Sequence, residues 1–294
     1  MKRIFELIIW TRRHGLINLY YRVINHRMFE NQVIEEFSVG NSSMTDSDHL
    51  SSYPSLCGLA SNDPEIFKKF RSSTAMVEAL DHVTIDQGKL YLKEIVSHGP
   101  WNEHYLSTIR RIDSIGHPRL FSFPPYGTMS PTLIRYLKVY LDLRKYFGSI
   151  EKMNIAEIGV GFGGQASVIH MLDKPESYTF YDIPPVLKLV DKFIGELEIQ
   201  GKFNFIDGRN PIASTPDLVI SNYAFSELSL EVQNVYLHNV ILKSPRGYIT
   251  WNSQSVDNLD GHSLADLVRI IPNSQIMTEK PNTSENNVII TWNN

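Results

Sequence analysis

The sequence contains few features of a specialised protein class. Its 294 residues include one cysteine, Cys57, so no disulfide can form within the chain, which suits a reducing compartment. No apolar run approaches the roughly 20 residues that a membrane-spanning helix requires. The net charge of −4 gives no general case for nucleic-acid binding. We therefore expect a cytoplasmic globular protein with a sizeable core and no nucleic-acid partner.

The N-terminal part is predicted to be mainly helical. Before residue 30, six Lys and Arg residues stand against one acid and alternate with apolar residues, which leaves two interpretations open. Either a basic amphipathic helix rests on an anionic membrane, at the inner face of the cell envelope, or the helix packs on its own domain. We favour the second, because periodicity does not identify what an apolar face contacts. Further helices are predicted over 64–80, 86–96 and 133–147, with loop over 38–64 and irregular chain over 99–131.

From residue 154 onward, short apolar strands alternate with helical stretches. Such alternation predicts a parallel sheet with helices on both faces. The last two strands have no helix between them and predict a hairpin. The predicted strands are 154–160, 178–182, 203–206, 217–222, 247–252, 275–278 and 287–292, and the helices between them are 164–172, 185–200, 229–243 and 261–271.

A glycine-rich turn is the most informative motif. Residues 157–165 read EIGVGFGGQ directly after an apolar strand, and Gly159 and Gly161 allow a tight turn and close approach of a ligand. Asp182 follows Gly159 by 23 residues, at the end of the next strand. A nucleotide-binding βαβ unit carries its ribose acceptor at this spacing. The segment therefore predicts an adenosine-type ligand.

Three details favour S-adenosylmethionine over NAD as that ligand. Glu157 lies two residues before the first glycine, where it can help engage an ammonium group, whereas a pyrophosphate disfavours a nearby carboxylate. Asp207 ends a third strand, where an acid can accept a hydrogen bond from an adenine amino group. No tyrosine is followed four residues later by lysine, so the short-chain dehydrogenase pair is absent.

Over residues 130–294 the chain resembles class I S-adenosylmethionine-dependent methyltransferases, and more narrowly a bacterial family of sugar O-methyltransferases. The resemblance implies a Rossmann-like, seven-stranded, mostly parallel sheet that ends in an antiparallel hairpin, with residues 1–129 as a helical substrate-side region. It also implies an association with surface polysaccharide synthesis. The family usually has tyrosine at Phe162 and leucine at Ile183. The matching segments are SPTLIRY (130–136), EIGVGFGGQ (157–165), YDIP (181–184) and SNYAFSE (221–227).

The expected site residues follow from these motifs. Glu227 is the first candidate for the general base, although it can instead cap the following helix, and His104, His117 and His262 compete with it. Arg135 can hold a carboxylate of the methionine moiety or of an acidic sugar, and Tyr126 can stack on a sugar. The residues expected to hold the cofactor are Glu157, Gly159, Gly161, Gly163, Gln165, Asp182, Ile183, Asp207, Asn222 and Tyr223.

A metal site is the weaker alternative at the same end of the sheet. Asp257, Asp260 and His262 crowd one loop, but they show no recognisable ligand spacing, so we expect catalysis without a metal. The predicted function is methylation of a hydroxyl on a sugar, nucleotide-sugar or glycan. The alternatives are a methyltransferase for a small non-sugar molecule and a non-catalytic cofactor-binding or interaction protein. The sequence leaves the oligomeric state open.

Overall fold

The computed structural model describes residues 52–97, 103–252, 261–284 and 286–293. The predicted helix over 1–35, with its two interpretations, lies outside these ranges. Within them, no helix combines the length and the apolar character that crossing a bilayer requires.

The N-terminal part is built from short helices. Two of them have clear caps: Asp63 accepts from backbone N–H groups at the start of α2, and Ser73 does so for α3. A small hairpin follows. The elements are α1 Ser52–Asn62, α2 Pro64–Phe67, α3 Thr74–Ala79, α4 Ile85–Ser97, α5 Glu103–Ile109, β1 Phe121–Ser122 and β2 Thr128–Met129, with 3-10 turns at Phe70–Ser72 and Arg110–Ser114.

The loop prediction over 38–64 is wrong for its described part. Helix α1 forms there because Pro54 falls in the first turn, where its missing N–H has no intrahelical partner to lose. Leu56 and Ala60 bury one side of the helix. The predicted single helix over 64–80 is instead broken into α2, a 3-10 turn and α3.

One long helix leads into the sheet. Helix α6, Pro131–Phe147, begins where the Ser130 hydroxyl accepts from the Leu133 N–H at 3.1 Å. It ends at Gly148, whose φ of 74° suits a residue without a side chain.

The sheet has seven strands in the order β5-β4-β3-β6-β7-β9-β8. The first five of these are parallel, and β9 runs antiparallel to both of its neighbours. The predicted Rossmann-like fold with an antiparallel C-terminal hairpin is confirmed. The strands are β3 Asn154–Ile158, β4 Ser177–Asp182, β5 Phe203–Asp207, β6 Leu218–Asn222, β7 Arg246–Trp251, β8 Gln275–Thr278 and β9 Val288–Asn293.

Helices cover both faces of this sheet. Successive residues of β3 show the alternation, because Ile155 belongs to one hydrophobic cluster and Ala156 to the other. The larger cluster also contains residues of the N-terminal helices, so these helices share a core with the sheet. The remaining helices are α7 Gly164–Leu172, α8 Pro184–Glu196, α9 Leu230–Asn239 and α10 Leu264–Ile270, with 3-10 turns at Ala224–Glu227 and Ile241–Lys243.

Candidate functional site

The topology creates a crevice at the end of β3. Strand β3 pairs with β4 on one side and with β6 on the other, so the chain changes direction across the sheet at this point. In open α/β sheets, ligands bind beyond the carboxyl ends of the strands at such a switch point. The glycine-rich turn follows β3 directly, and Asn222 ends β6. The sheet therefore brings the two most distinctive motifs to one edge.

The glycine turn requires residues without side chains. Gly159, Gly161 and Gly163 have φ values of 73°, 54° and 87°, all in the left-handed region. A Cβ atom on Gly159 would lie 1.9 Å from the Cβ of Ala224, and one on Gly161 would lie 2.8 Å from Leu80 Cδ1. The glycine turn is thus packed between Ala224, in the 3-10 turn after β6, and Leu80, the residue that follows α3.

Asp182 is bound to the glycine turn. Its Oδ2 accepts from the Val160 N–H and its Oδ1 from the Ile183 N–H, both at 2.8 Å. Both oxygens of the carboxylate are thereby fixed beside the turn, at the strand end where a ribose acceptor is expected. Helix α1 lies close to this strand end, since a Cβ atom on Gly58 would be 3.9 Å from the Cβ of Pro185. Burial raises the pKa of the Cys57 thiol on this helix, and the Asp182 charge raises it further.

Asp207 lies at the same level on the neighbouring strand. It pairs in register with Asp182, and its carboxylate binds Arg209, with Nε 2.9 Å from Oδ1 and Nη2 2.5 Å from Oδ2. The hydrogen bond from Arg209 lowers the pKa of the Asp207 carboxyl. Asp207 therefore stays ionised, as an acceptor for an adenine amino group must.

Two of the expected cofactor residues lie inside the core. Glu157 Oε2 accepts from the Tyr178 hydroxyl at 2.8 Å, and burial raises its pKa to about 8, so the carboxyl holds a proton at neutral pH. Gln165 Nε2 donates to the Tyr136 carbonyl at 3.2 Å and joins α7 to α6. Neither side chain lines the polar cavity described next.

A polar cavity lies beside the crevice, on the α6 side of β6 and β7. The cavity is small, with a volume of about 20 Å³, which is room for roughly one or two water-sized groups. Its polar lining includes Tyr91, Arg135, Asn222, Tyr223, Thr250 and Glu279. The structure therefore brings three of the predicted residues, Arg135, Asn222 and Tyr223, to one cavity.

The half-buried Tyr223 and the buried Glu279 form a hydrogen-bonded pair in this cavity. The Tyr223 hydroxyl donates to Glu279 Oε1, and Glu279 Oε2 accepts from the Thr283 N–H at 2.9 Å and from its hydroxyl at 2.6 Å. Tyr223 has a φ of 70°, an uncommon conformation for a bulky residue that concentrates at functional sites. Sequence reasoning missed Glu279, because a Glu-Lys pair after an edge strand resembles an exposed turn.

The first candidates for the base lie on the α9 side of β6. Glu227 Oε1 accepts from Asn252 Nδ2 at 3.4 Å. His262 Nε2 lies 2.7 Å from Asn234 Oδ1, and its backbone N–H donates to Gln233 Oε1 at 2.8 Å. Gln233 Nε2 also donates to the Phe225 carbonyl at 3.0 Å. The buried Gln233 thus ties the turn that carries Glu227 to the segment that carries His262, a positioning role that the sequence did not indicate.

Two expected residues lie apart from this edge. His104 is exposed on α5, and Tyr126 is half-buried in the turn between β1 and β2. Neither lines the cavity. Asp257 and Asp260 of the proposed metal alternative lie outside the described residues. In the described ranges, no three His, Cys, Asp or Glu side chains come together in a group that could hold a metal ion.

Comparison with known proteins gives likenesses of fold alone. No family model and no curated protein matches the chain. A solved protein of Thermoplasma acidophilum is 18% identical, with 56% of this chain and 89% of that chain covered and a TM-score of 0.39. An O-methyltransferase family protein of Burkholderia thailandensis is 14% identical, with coverages of 55% and 57% and a TM-score of 0.40. The mitomycin 7-O-methyltransferase is 13% identical, with 55% of this chain and 53% of that chain covered and a TM-score of 0.41. Because every one of these TM-scores is below 0.5, the functional argument rests on the geometry of the site.

Proposed function

We propose that the protein is an S-adenosylmethionine-dependent O-methyltransferase. The observation that carries the proposal is the glycine turn at the switch point, with an aspartate at the next strand end bound to its backbone. Asp182 Oδ2 accepts from the Val160 N–H within the turn itself, so the turn and the ribose acceptor form one preorganised unit. Parallel sheets place nucleotide ligands at this position.

The residues around the turn fit the parts of this cofactor. Asp182 suits the ribose hydroxyls, and Asp207 at the end of the adjacent strand suits the adenine amino group. On the other side of β3, Asn222 has a buried Nδ2 without a hydrogen-bond partner among the described residues. Buried amide donors are nearly always satisfied by protein, water or ligand, so this donor is available to a bound group. Asn222 therefore suits the methionine end or the acceptor.

The chain's own chemical task is to orient an acceptor hydroxyl and to take its proton. S-adenosylmethionine supplies an electrophilic methyl group on a sulfonium sulfur. Glu227 is the proposed base, because it is a half-buried carboxylate that follows the switch-point strand β6. It does not line the cavity, so the acceptor hydroxyl has to extend beyond the cavity to reach it. Glu279 is less suited, since its carboxylate already accepts hydrogen bonds from the Tyr223 hydroxyl and from two groups of Thr283.

The acceptor is proposed to be a sugar, nucleotide-sugar or glycan hydroxyl. The support is the set of hydrogen-bonding side chains beside the crevice, among them Arg135, Asn222 and Tyr223, which can bind hydroxyl groups. A polar non-sugar metabolite is the second candidate. Transfer of labelled methyl to a panel of monosaccharides, nucleotide sugars and phenolic compounds separates the two, and transfer to none of the panel contradicts the sugar assignment.

Binding of the cofactor is tested by calorimetric titration with S-adenosylmethionine, S-adenosylhomocysteine and NAD. We expect both sulfur ligands to bind and NAD to give no signal. Asp182→Ala should weaken S-adenosylhomocysteine by about 1–3 kcal/mol, roughly 5- to 150-fold, because a charge-assisted acceptor is lost.

Asp217→Ala is the matched control for this experiment. Asp217 is also half-buried, and its Oδ2 accepts from the Asn154 N–H at 2.8 Å, but it lies at the opposite end of β3. This variant should bind S-adenosylhomocysteine as the wild type does. Equal affinities for Asp182→Ala and wild type, in folded proteins, would remove the ribose role, and binding of NAD alone would overturn the class.

A further inference from the structure

Arg135 is a buried cation that has no carboxylate within ion-pair distance among the described residues, although the charge of Asp81 acts on it. It is 8% exposed and lines the polar cavity. Its guanidinium is a fork of N–H donors, yet its one hydrogen bond there is from Nη2 to the Leu80 carbonyl at 3.3 Å. The Tyr136 and Tyr223 rings lie 5.6 Å and 5.9 Å from its central carbon. Arginine stays charged at all physiological pH values, so this buried charge is expensive to keep.

Asn222 presents a second unsatisfied donor to the same cavity. Its Nδ2 is buried and has no hydrogen-bond partner in the described part of the chain. Its Oδ1 lies 3.5 Å from the Thr250 hydroxyl, at the limit of a hydrogen bond. A planar cation and an amide donor on one cavity wall form a set of donors for which the described residues supply no matching acceptor.

The acidic groups of the cavity already have partners. Glu279 accepts from the Tyr223 hydroxyl and from Thr283. Lys138, the other cation in the lining, is bound to Asp142 at 2.5 Å, and the Tyr248 hydroxyl also donates to Asp142 at 2.9 Å. Of the two cations in the lining, Arg135 is therefore the one without an ion pair in the described ranges. Glu279, the carboxylate of the lining, is held by neutral groups.

We propose that this cavity binds the carboxylate of a ligand, with Arg135 as the bidentate donor and Asn222 Nδ2 as a second donor. A single guanidinium matches the single charge and the planar oxygen pair of a carboxylate, whereas a phosphate dianion calls for more positive charge. This inference rests on the proposed function and names the chemistry of one subsite. The carboxylate belongs either to the methionine moiety of the cofactor or to an acidic acceptor such as a uronic acid.

The test compares ligands with and without a carboxylate. S-adenosylhomocysteine carries the amino-acid moiety, whereas 5′-methylthioadenosine has the same nucleoside and lacks it. Glucuronate and glucose form the corresponding acceptor pair and are titrated into the complex with S-adenosylhomocysteine. Each of the four ligands is measured by calorimetry on wild type, Arg135→Met and Asn222→Ala.

We expect Arg135→Met to lose at least 10-fold in affinity for one carboxylate ligand and to keep its affinity for the carboxylate-free partner. A loss for S-adenosylhomocysteine, with 5′-methylthioadenosine unchanged, assigns the subsite to the cofactor. A loss for glucuronate, with S-adenosylhomocysteine unchanged, assigns it to the acceptor. Asn222→Ala should affect the same ligand by a smaller factor, and Arg135→Lys, which keeps the charge without the fork, should recover part of the loss.

Arg119→Met is the matched control. Arg119 is also buried and its Nη2 donates to the neighbouring Asp81 carbonyl, but it does not line the cavity. This variant should bind every ligand as the wild type does. Unchanged affinity of Arg135→Met for all four ligands overturns the inference, as does an equal loss for 5′-methylthioadenosine. A wild-type protein that binds neither adenosine ligand contradicts the proposed function, and this inference with it.

Discussion

Two buried arginines in this protein differ in their ion pairs. Arg71 is fully buried and its guanidinium binds Asp81 at 3.0 Å, Asp113 at 3.1 Å and the Ser130 hydroxyl at 3.3 Å. Arg135 is nearly as buried, yet in the described ranges its one hydrogen bond is to a carbonyl. We infer that Arg71 serves the fold, whereas the open donors of Arg135 suit a ligand.

The position of Arg71 explains its structural role. Asp113, one of its partners, also accepts from the Ser130 N–H at 2.6 Å, at the residue that caps α6. The central carbon of the Arg71 guanidinium lies 4.6 Å from the centre of the Phe162 ring in the glycine turn. The same side chain therefore joins the N-terminal helices, the start of α6 and the glycine turn.

The largest effect is expected for Arg71→Met. The substitution leaves Asp81 and Asp113 buried without their cation, and breaking a buried pair in this way costs about 3–5 kcal/mol. Urea unfolding followed by circular dichroism should show the loss as a lower midpoint with an unchanged slope. A loss below about 1 kcal/mol would remove the distinction between the two arginines, because it would show that the ion pairs of Arg71 contribute little.

Glu157 extends the comparison to a buried acid without a cation. Burial raises its folded-state pKa to about 8, above the ordinary value of 4.5, so between these pH values the folded protein keeps a proton that the unfolded chain has lost. The contribution of the protonated Glu157 to the free energy of unfolding is therefore fully present below about pH 4.5 and is lost as the pH rises towards 8. Over this range the free energy of unfolding should fall by up to about 1.4 kcal/mol per pH unit.

Glu157→Gln tests this expectation. The amide oxygen can still accept from Tyr178, but the side chain no longer titrates, so the slope between pH 5 and pH 8 should become shallower by about 1.4 kcal/mol per unit. At pH 9 the variant should be more stable than the wild type. Parallel stability curves for the two proteins, measured by urea unfolding across this range, would show that Glu157 does not carry the pH dependence.

The sheet could be predicted from the sequence because its signals are local. Each strand is a short apolar run bounded by turn residues, and the glycines after β3 mark the turn. The helices of the N-terminal part are harder to predict from the sequence. Helix α1 carries Pro54 and Gly58, which read as loop residues, and it is held by distant contacts such as Lys192 Nζ donating to the Ala60 carbonyl at 2.8 Å. Such contacts cannot be read from local periodicity.

The site was predictable at its strand ends and less so elsewhere. Asp182 and Asn222 follow strands, where chemistry is expected in this topology. Glu279 comes from a segment that the hairpin brings to the cavity from 56 residues beyond Tyr223. Nothing in the sequence distinguishes Arg71 from Arg135. The difference lies in carboxylates, which bind Arg71 from 10 and 42 residues away and do not come within ion-pair distance of Arg135 in the described chain.

The smallest effect is expected for Arg135→Met without ligand. Removing the guanidinium breaks one long hydrogen bond to the Leu80 carbonyl and relieves the desolvation of an unpaired charge, so the two terms nearly cancel. The free energy of unfolding should stay within about 1 kcal/mol of wild type, or rise, while Arg71→Met falls steeply. Saturating S-adenosylhomocysteine should then stabilise the wild type more than the variant if the carboxylate is the cofactor's. A large loss without ligand would mean that the chain itself neutralises Arg135, and the two arginines would then serve the same structural purpose.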